Sequence, residues 1–370
     1  MADNANDISS AFLLAAVTYR YGDLNDAERL AERASGLAPA ATGRLAENAA
    51  YHELEPLLHT VVMDCAELGC RLKLPQQLAE GWSHAHAREM ARTAIIHFGA
   101  LKALRALAEA KVRVIPLKGF YLVSAIYGRK SARGFKDLDL MVEPAALGAL
   151  NEALLSAGFR PAPDRPSFVP APAYTVYSLP MEGSDAAMEI DIHIGMHWPE
   201  EYERRTAFRC EDIWSHAAHE EVEGMSIWAM SPEHLLITTL LDVAVNHRYA
   251  RLVKFRDVLE IMLATDPDWR EIEDQSERWE VRSFVGPGLR LLEEMNGAPL
   301  PPGTLASVLP SYAAMRAFSR VLPARALPDH RSRSFSLPNL LFFMLADTPH
   351  ERARGLAHLP RHMFRGRHRF

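Results

Sequence analysis

The chain has 370 residues, 48% of them hydrophobic and 24% charged, and a formal net charge of -6. That length allows more than one subdomain with its own core, and that balance excludes a disordered chain. The acidic balance also argues against a protein that coats DNA or RNA, which would be basic.

The N-terminus, MADNANDISS, has no basic stretch and no long apolar run, so no signal peptide is expected. No segment offers the ~18 apolar residues of a membrane span, and the expectation is a cytoplasmic protein. Cys65, Cys70 and Cys210 fit neither a zinc site nor a disulfide framework and read as buried free thiols. Asp7 and Ser9 are placed to cap a helix carrying Phe12, Leu13, Leu14 and Val17; Asn25 or Asp26 would start a second, ended by Gly36 and Pro39. Glu47 to Leu72 sets Leu54, Leu57, Leu58, Val61 and Val62 at helical spacing. A long helix from about Gln76 to Glu109 carries Trp82, Met90, Ile95, Phe98, Leu101, Leu104 and Leu107. His84, His86 and His97 lie on it, and positions two apart do not share a helix face, so they read as surface or core histidines.

The pattern changes at Lys111. VRVIPLKG is short, β-branched and ends in glycine, which reads as a strand and a turn. FYLVSAIYG reads as a helix closed by Gly128, KDLDLMVE as a second strand, and Pro144 to Leu155 as a helix stopped by Gly158. After a proline-rich loop, Pro161 to Pro172, YTVYSLP and AMEIDIHIG read as strands and GMSIWAM as a candidate fifth. SPEHLLITTLLDVAVNH is a helix with Ser231 as N-cap and Pro232 at its first position. RLVKFRDVLEIMLA is a second amphipathic helix, and a weaker helical set continues to about Ala326, before a linker at residues 327–337. The basic stretch Glu351 to Phe370 reads as a solvated tail or as a contact for an anionic partner. The expected fold is therefore mixed α/β (α+β): a small mixed-sheet core over residues 99–230, flanked by helical regions 1–98 and 231–370.

The chemistry concentrates in KDLDLMVE. On a strand, Asp137 and Asp139 share one face while Leu138, Leu140 and Val142 face a core. Two carboxylates this close repel and raise each other's pKa unless a cation sits between them, which makes sense as a divalent-metal clamp. Three neighbours strengthen that expectation. Gly119 in PLKGF lets backbone approach a phosphate beside a helix N-terminus. Arg133 and Lys136 precede the aspartates and are suited to triphosphate oxygens. EIDIH puts Glu189, Asp191 and His193 on one strand face, so either acid would supply a third carboxylate.

In this order, Leu117-Lys118-Gly119, Tyr127-Gly128, Arg133, Asp137-Leu138-Asp139 and Ile190-Asp191-Ile192-His193 resemble the bacterial "nucleotidyltransferase family" proteins of the polymerase-β-like nucleotidyltransferase superfamily. A downstream segment with His247, Lys254 and Asp257 extends the resemblance to about two thirds of the chain. It implies transfer of a nucleoside monophosphate from an NTP, such as ATP, to an acceptor hydroxyl, with Mg²⁺ or Mn²⁺ as cofactor. It favours Asp191 over Glu189 as the third metal ligand beside Asp137 and Asp139, with Asp191 also a candidate base. Lys118, Gly119, Arg133 and Lys254 would bind the triphosphate. His193, His247 and Asp257 would lie toward the acceptor. His193 is equally read as a strand histidine satisfied by its neighbours, His197 and Trp198 as packing residues, and Asp257 as the partner of Arg251, Lys254 or Arg256.

The implied partners are an NTP and an acceptor that is a small molecule, a peptide or a protein; by analogy, a natural-product peptide fits. No stable nucleic acid and no membrane are expected. An antibiotic-modifying enzyme would need an acidic pocket for a cationic substrate. One position departs from the superfamily: where a small residue, often serine, would contact phosphate, this chain has Phe120. That departure favours the alternative of a degenerate NTP-binding or regulatory protein, such as a toxin–antitoxin partner.

Overall fold

The computed structural model describes residues 2–37, 41–162, 174–180, 187–195, 206–295, 300–301 and 318. The linker at 327–337, the basic tail, the proline-rich loop from residue 163 onward, His197 and Trp198 lie outside the described residues. Five helices come first: α1 (Ala2–Val17), α2 (Leu24–Ser35), α3 (Thr42–Tyr51), α4 (Glu55–Glu67) and α5 (Gln76–Glu109). The sheet strands β1 (Val114–Leu117), β2 (Leu138–Val142), β3 (Arg160–Pro161), β4 (Tyr174–Pro180) and β5 (Ala187–His193) follow, with a short α6 (Lys118–Tyr121) and α7 (Leu147–Ser156) between them. Then come α8 (Cys210–His216), β6 (Ala218–Val222), β7 (Met225–Ala229), α9 (Pro232–Leu241), α10 (Leu252–Thr265), α11 (Trp269–Arg278) and α12 (Arg282–Glu294).

The five strands form one mixed sheet in the order β1-β2-β5-β4-β3. β2 and β5 run parallel, and the other neighbours are antiparallel. GMSIWAM does form a strand, β7, but it pairs with β6 as a separate hairpin. Alternation divides the sheet. Leu138, Leu140 and Val142 of β2 and Met188, Ile190 and Ile192 of β5 pack with Ile96, Ala100, Ala103, Leu104 and Leu107 of α5. Ile115, Leu117 and Met141 face the other way, into a larger core that α1–α4 share with α9, α10 and α12. Leu78 and Trp82 join that larger core, so α5 spans both. Asp139 and Asp191, out of phase with the α5-facing residues, therefore lie on the side of the sheet turned toward the C-terminal helices.

Several boundaries differ from the sequence pattern. The first helix begins at Ala2, not at a cap formed by Asp7 or Ser9. Asp23 caps α2 by accepting from the Asp26 N–H, and Asp26 instead binds Arg20. The stretch from Glu47 to Leu72 breaks around His52 to Leu54, where Glu53 takes φ 57°. Ser231 caps α9 as expected. All three cysteines are free, but only Cys65 is buried; Cys70 and Cys210 are half-buried. Among the described residues, no helix is long and apolar enough to cross a membrane.

His234 of α9 is buried, with both ring nitrogens lacking a partner among the described residues. It stacks on Trp279 with ring centroids 5.0 Å apart and meets His216 edge-on. Burial, and then His216, push its pKa below the ordinary histidine value. The unfolded chain therefore binds this proton more readily than the folded one. Its contribution to stability is complete above about pH 6.5 and is lost as the pH falls toward the lower folded value. The urea midpoint of the wild type should fall between about pH 7.5 and about pH 5.5 by more than that of His234→Phe, whose similar shape should keep neutral-pH stability within about 1.5 kcal/mol. Equal falls in both proteins would place the acid sensitivity elsewhere.

Candidate active site

The turn after β1 is tightly built. Lys118 adopts φ 48°, a left-handed conformation that an ordinary residue holds at a strain of about 1–3 kcal/mol. Gly119 follows it, and a Cβ there would stand 2.5 Å from the Cβ of Phe135. Phe120 turns away into the α5-facing core, edge-on to Phe135 and against His97. Phe120 therefore offers this site no side chain. Gly119→Ala should drive residue 119 and Phe135 apart, lowering stability by about 1–3 kcal/mol. Equilibrium urea unfolding measures the loss.

β2 begins at Leu138, so Asp137 lies in the bend before it and not on the strand itself. Asp139 is level with Leu117 of β1 on one side and Asp191 of β5 on the other. His193 shares the alternation of Asp191, and its Nε2 lies 2.8 Å from Asp139 Oδ1. Lys118 Nζ donates to the same oxygen at 3.4 Å. One donor atom from each of Asp139, Asp191 and His193 falls within 4.8 Å of the others, a set able to hold a metal ion.

The wall opposite the sheet comes from α9 and α10. Past Leu241 the helix widens into a π-type turn, Asp242–Asn246, an irregularity common at functional sites. This turn carries the buried Asp242, which collects cations. Lys254 Nζ lies 3.0 Å from its Oδ2, His247 Nε2 3.4 Å from Oδ2, and Lys118 Nζ 3.9 Å from Oδ1. Asn246 Nδ2 also donates to it at 2.8 Å. Asp242 matches no motif of the sequence. Its signal there is a single acid inside the apolar run LLDVAV, where an unpaired charge would be costly.

The charge balance is uneven. Asp137, Asp139, Asp191 and Asp242 face Lys118 and Lys254, an excess of carboxylates over ammonium groups. Burial, and then Asp139 and Asp191, push Asp137 up to about 7. Against the penalty of burial, Lys118 and His193 hold Asp139 below the usual carboxylate range. Lys254, Lys118 and His247 do the same for Asp242. Lys118 is kept charged by Asp139, Asp242 and Asp137 despite its burial. A carboxyl pushed up by two neighbouring carboxylates marks a place where a cation would be favoured.

Arg133 and Asp257 meet each other. The guanidinium grips both carboxylate oxygens, at 3.0 and 3.2 Å, and the Tyr127 hydroxyl donates to Oδ1 at 2.6 Å. The three cationic partners considered for Asp257 are engaged elsewhere: Lys254 by Asp242, Arg256 by Glu260, and Arg251 over the ring of Tyr51. Lys136 is exposed and pairs with Glu53. Glu189 shares the alternation of Asp191 but is absent from the metal-competent set among the described residues.

Residues 39–297 match the family described as "Uncharacterised nucleotidyltransferase". The chain is 18% identical to the antigenic nucleotidyltransferase-like protein from Paracoccidioides brasiliensis seen in a crystal structure; the match covers 58% of this chain and 92% of that one, with a TM-score of 0.35. No curated protein matches.

Proposed function

We propose that this chain, which belongs to the uncharacterised nucleotidyltransferase family, moves a nucleoside monophosphate from an NTP to an acceptor hydroxyl and releases pyrophosphate. The observation that carries this is the level pairing of Asp139 and Asp191 on adjacent parallel strands, with Lys118 on Asp139 and Lys254 on the facing Asp242. The cluster fits a divalent ion such as Mg²⁺ or Mn²⁺, because its excess carboxylates need a cation and its donors converge. Asp137, Asp139 and Asp191 would hold it, and when bound it would neutralise triphosphate charge and acidify the acceptor hydroxyl.

The protein's own groups would do the rest. Lys118 and Lys254 would turn from Asp242 toward the β- and γ-phosphate oxygens, and the backbone at Gly119 would pass close beside them. The acceptor oxygen would attack the α-phosphorus as the bond to the β-phosphate oxygen breaks. Asp191 would take the hydroxyl proton. Arg133, gripped by Asp257, would fix the loop before β2, and with it Asp137. His247, on the rim beside Asp242, would face the acceptor. The acceptor is a hydroxyl of a small molecule, a peptide or a protein.

The test uses NTPs labelled at the α-phosphate, with cell extract as the source of acceptor. Metal-dependent pyrophosphate release with label retained on an acceptor supports the assignment. Phe120, turned into the core, favours the alternative of an NTP-binding regulatory protein without turnover; metal-dependent NTP binding without release would select it. Lys254→Ala should raise the NTP Kd roughly 10- to 100-fold, as expected for one charge-assisted phosphate contact. An unchanged Kd would remove Lys254 from the triphosphate site.

A further inference from the structure

We propose that the ion at this site is a divalent first-row transition metal rather than Mg²⁺, because His193 ligates it together with Asp139 and Asp191. This rests on the metal-binding part of the proposed function and deepens it. Three observations lead there. His193 sits two residues from Asp191 on β5, so its ring shares the face of the carboxylate opposite Asp139. It presents Nε2, at 2.8 Å, to Asp139 Oδ1, and it is only 2% exposed. Its donor atom, with one oxygen from each aspartate, falls inside a 4.8 Å set. Donors at about 2.1–2.2 Å from one ion lie about 3 Å apart on adjacent sites and about 4.2–4.4 Å apart on opposite ones, so donors within 4.8 Å of one another can close on a single ion with small side-chain shifts.

Donor chemistry decides the metal. Mg²⁺ takes hard oxygen ligands and sheds water reluctantly, whereas an imidazole nitrogen suits the first-row transition ions. Asp139, Asp191 and the buried imidazole of His193, with Asp137 as a further carboxylate beside them, form a mixed nitrogen–oxygen set. Ligation requires Nε2, which now faces Asp139, to turn its lone pair to the ion. If His193 instead only oriented Asp139 by a hydrogen bond, the set would keep oxygen donors alone and would not discriminate in this way.

The full-length protein, stripped of metal, is titrated with Mn²⁺, Co²⁺ and Mg²⁺, and the Mn²⁺-loaded form is examined by pulsed electron paramagnetic resonance. The expected result is an imidazole nitrogen coupling to bound Mn²⁺, with Mn²⁺ and Co²⁺ bound at least about tenfold more tightly than Mg²⁺. His193→Gln, which keeps a hydrogen-bond donor toward Asp139, should lose the coupling and most of the preference. Wild-type protein that binds Mn²⁺ without a nitrogen coupling overturns the proposal whether or not the variant folds. An unchanged Mn²⁺/Mg²⁺ ratio in folded His193→Gln also overturns it. The two ideas fail separately. Nitrogen-coupled Mn²⁺ without pyrophosphate release leaves this one standing and sinks the transferase. Mg²⁺-driven release without the coupling does the reverse.

Discussion

Asp139→Ala is expected to lower metal-dependent pyrophosphate release by about 10³-fold or more, corresponding to at least ~4 kcal/mol of transition-state stabilisation. Asp139 is the carboxylate on which the cluster converges: it is level with Asp191, its Oδ1 meets both His193 and Lys118, and it is buried. Without it the candidate metal donors lose their middle member, and Lys118 is left with Asp242 and Asp137. The metal-free variant should nonetheless fold. Removing one of several crowded carboxylates relieves the repulsion that keeps Asp137 raised to about 7. A thermal midpoint in chelator equal to or above that of the wild type, together with lost release, separates a catalytic loss from a folding loss. Retained release in this variant would remove Asp139 from the machinery. A collapsed midpoint would show that the carboxylate holds the sheet together.

Asp257→Ala is expected to destabilise the protein by about 3–5 kcal/mol, because it strands a buried guanidinium. Arg133 lies in the loop before β2 and Asp257 in α10, and both are nearly inaccessible, with side chains 11% and 1% exposed. The carboxylate takes two bonds from Arg133 and one from Tyr127, so its removal leaves several buried donors unmet. Against a typical total of about 5–15 kcal/mol, such a loss would unfold a large share of the chain at physiological temperature. Equilibrium urea unfolding measures it. The double change Arg133→Met with Asp257→Leu should recover much of the loss, since matched apolar residues replace a buried pair at little penalty. Failure of the double variant to recover would mean that the pair does more than neutralise itself.

The periodicities made much of this legible. The long α5, the Ser231 cap and the alternation that turns Leu138 and Leu140 away from Asp139 all follow from local rules that act within a few residues. What those rules do not contain is register. Nothing in EIDIH says whether Glu189 or Asp191 lies beside Asp139; the parallel pairing of β2 with β5 makes it Asp191. Arg133 and Asp257 were each readable as charged site residues, yet their pairing joins positions more than a hundred residues apart. Candidates for Asp257 drawn from its own helix were therefore the wrong neighbourhood. Asp242 stayed hidden for a similar reason: a widened helical turn, not a motif, aims it at Lys118 and Lys254. Phe120 was visible as a departure, but only the packing against Phe135 shows which way it points.

The level pairing of Asp139 with Asp191 also sets an order of events during folding. Antiparallel neighbours can zip from a tight turn, but β2 and β5 are parallel, and joining them closes a loop of roughly fifty residues before any contact repays the lost chain entropy. A slip of one residue would bring an aliphatic side chain where a carboxylate belongs. The metal-competent pocket therefore cannot exist in a partly assembled chain or in a misaligned one. An ion held there would favour that one alignment over its rivals, because only the aligned strands bring the donors together.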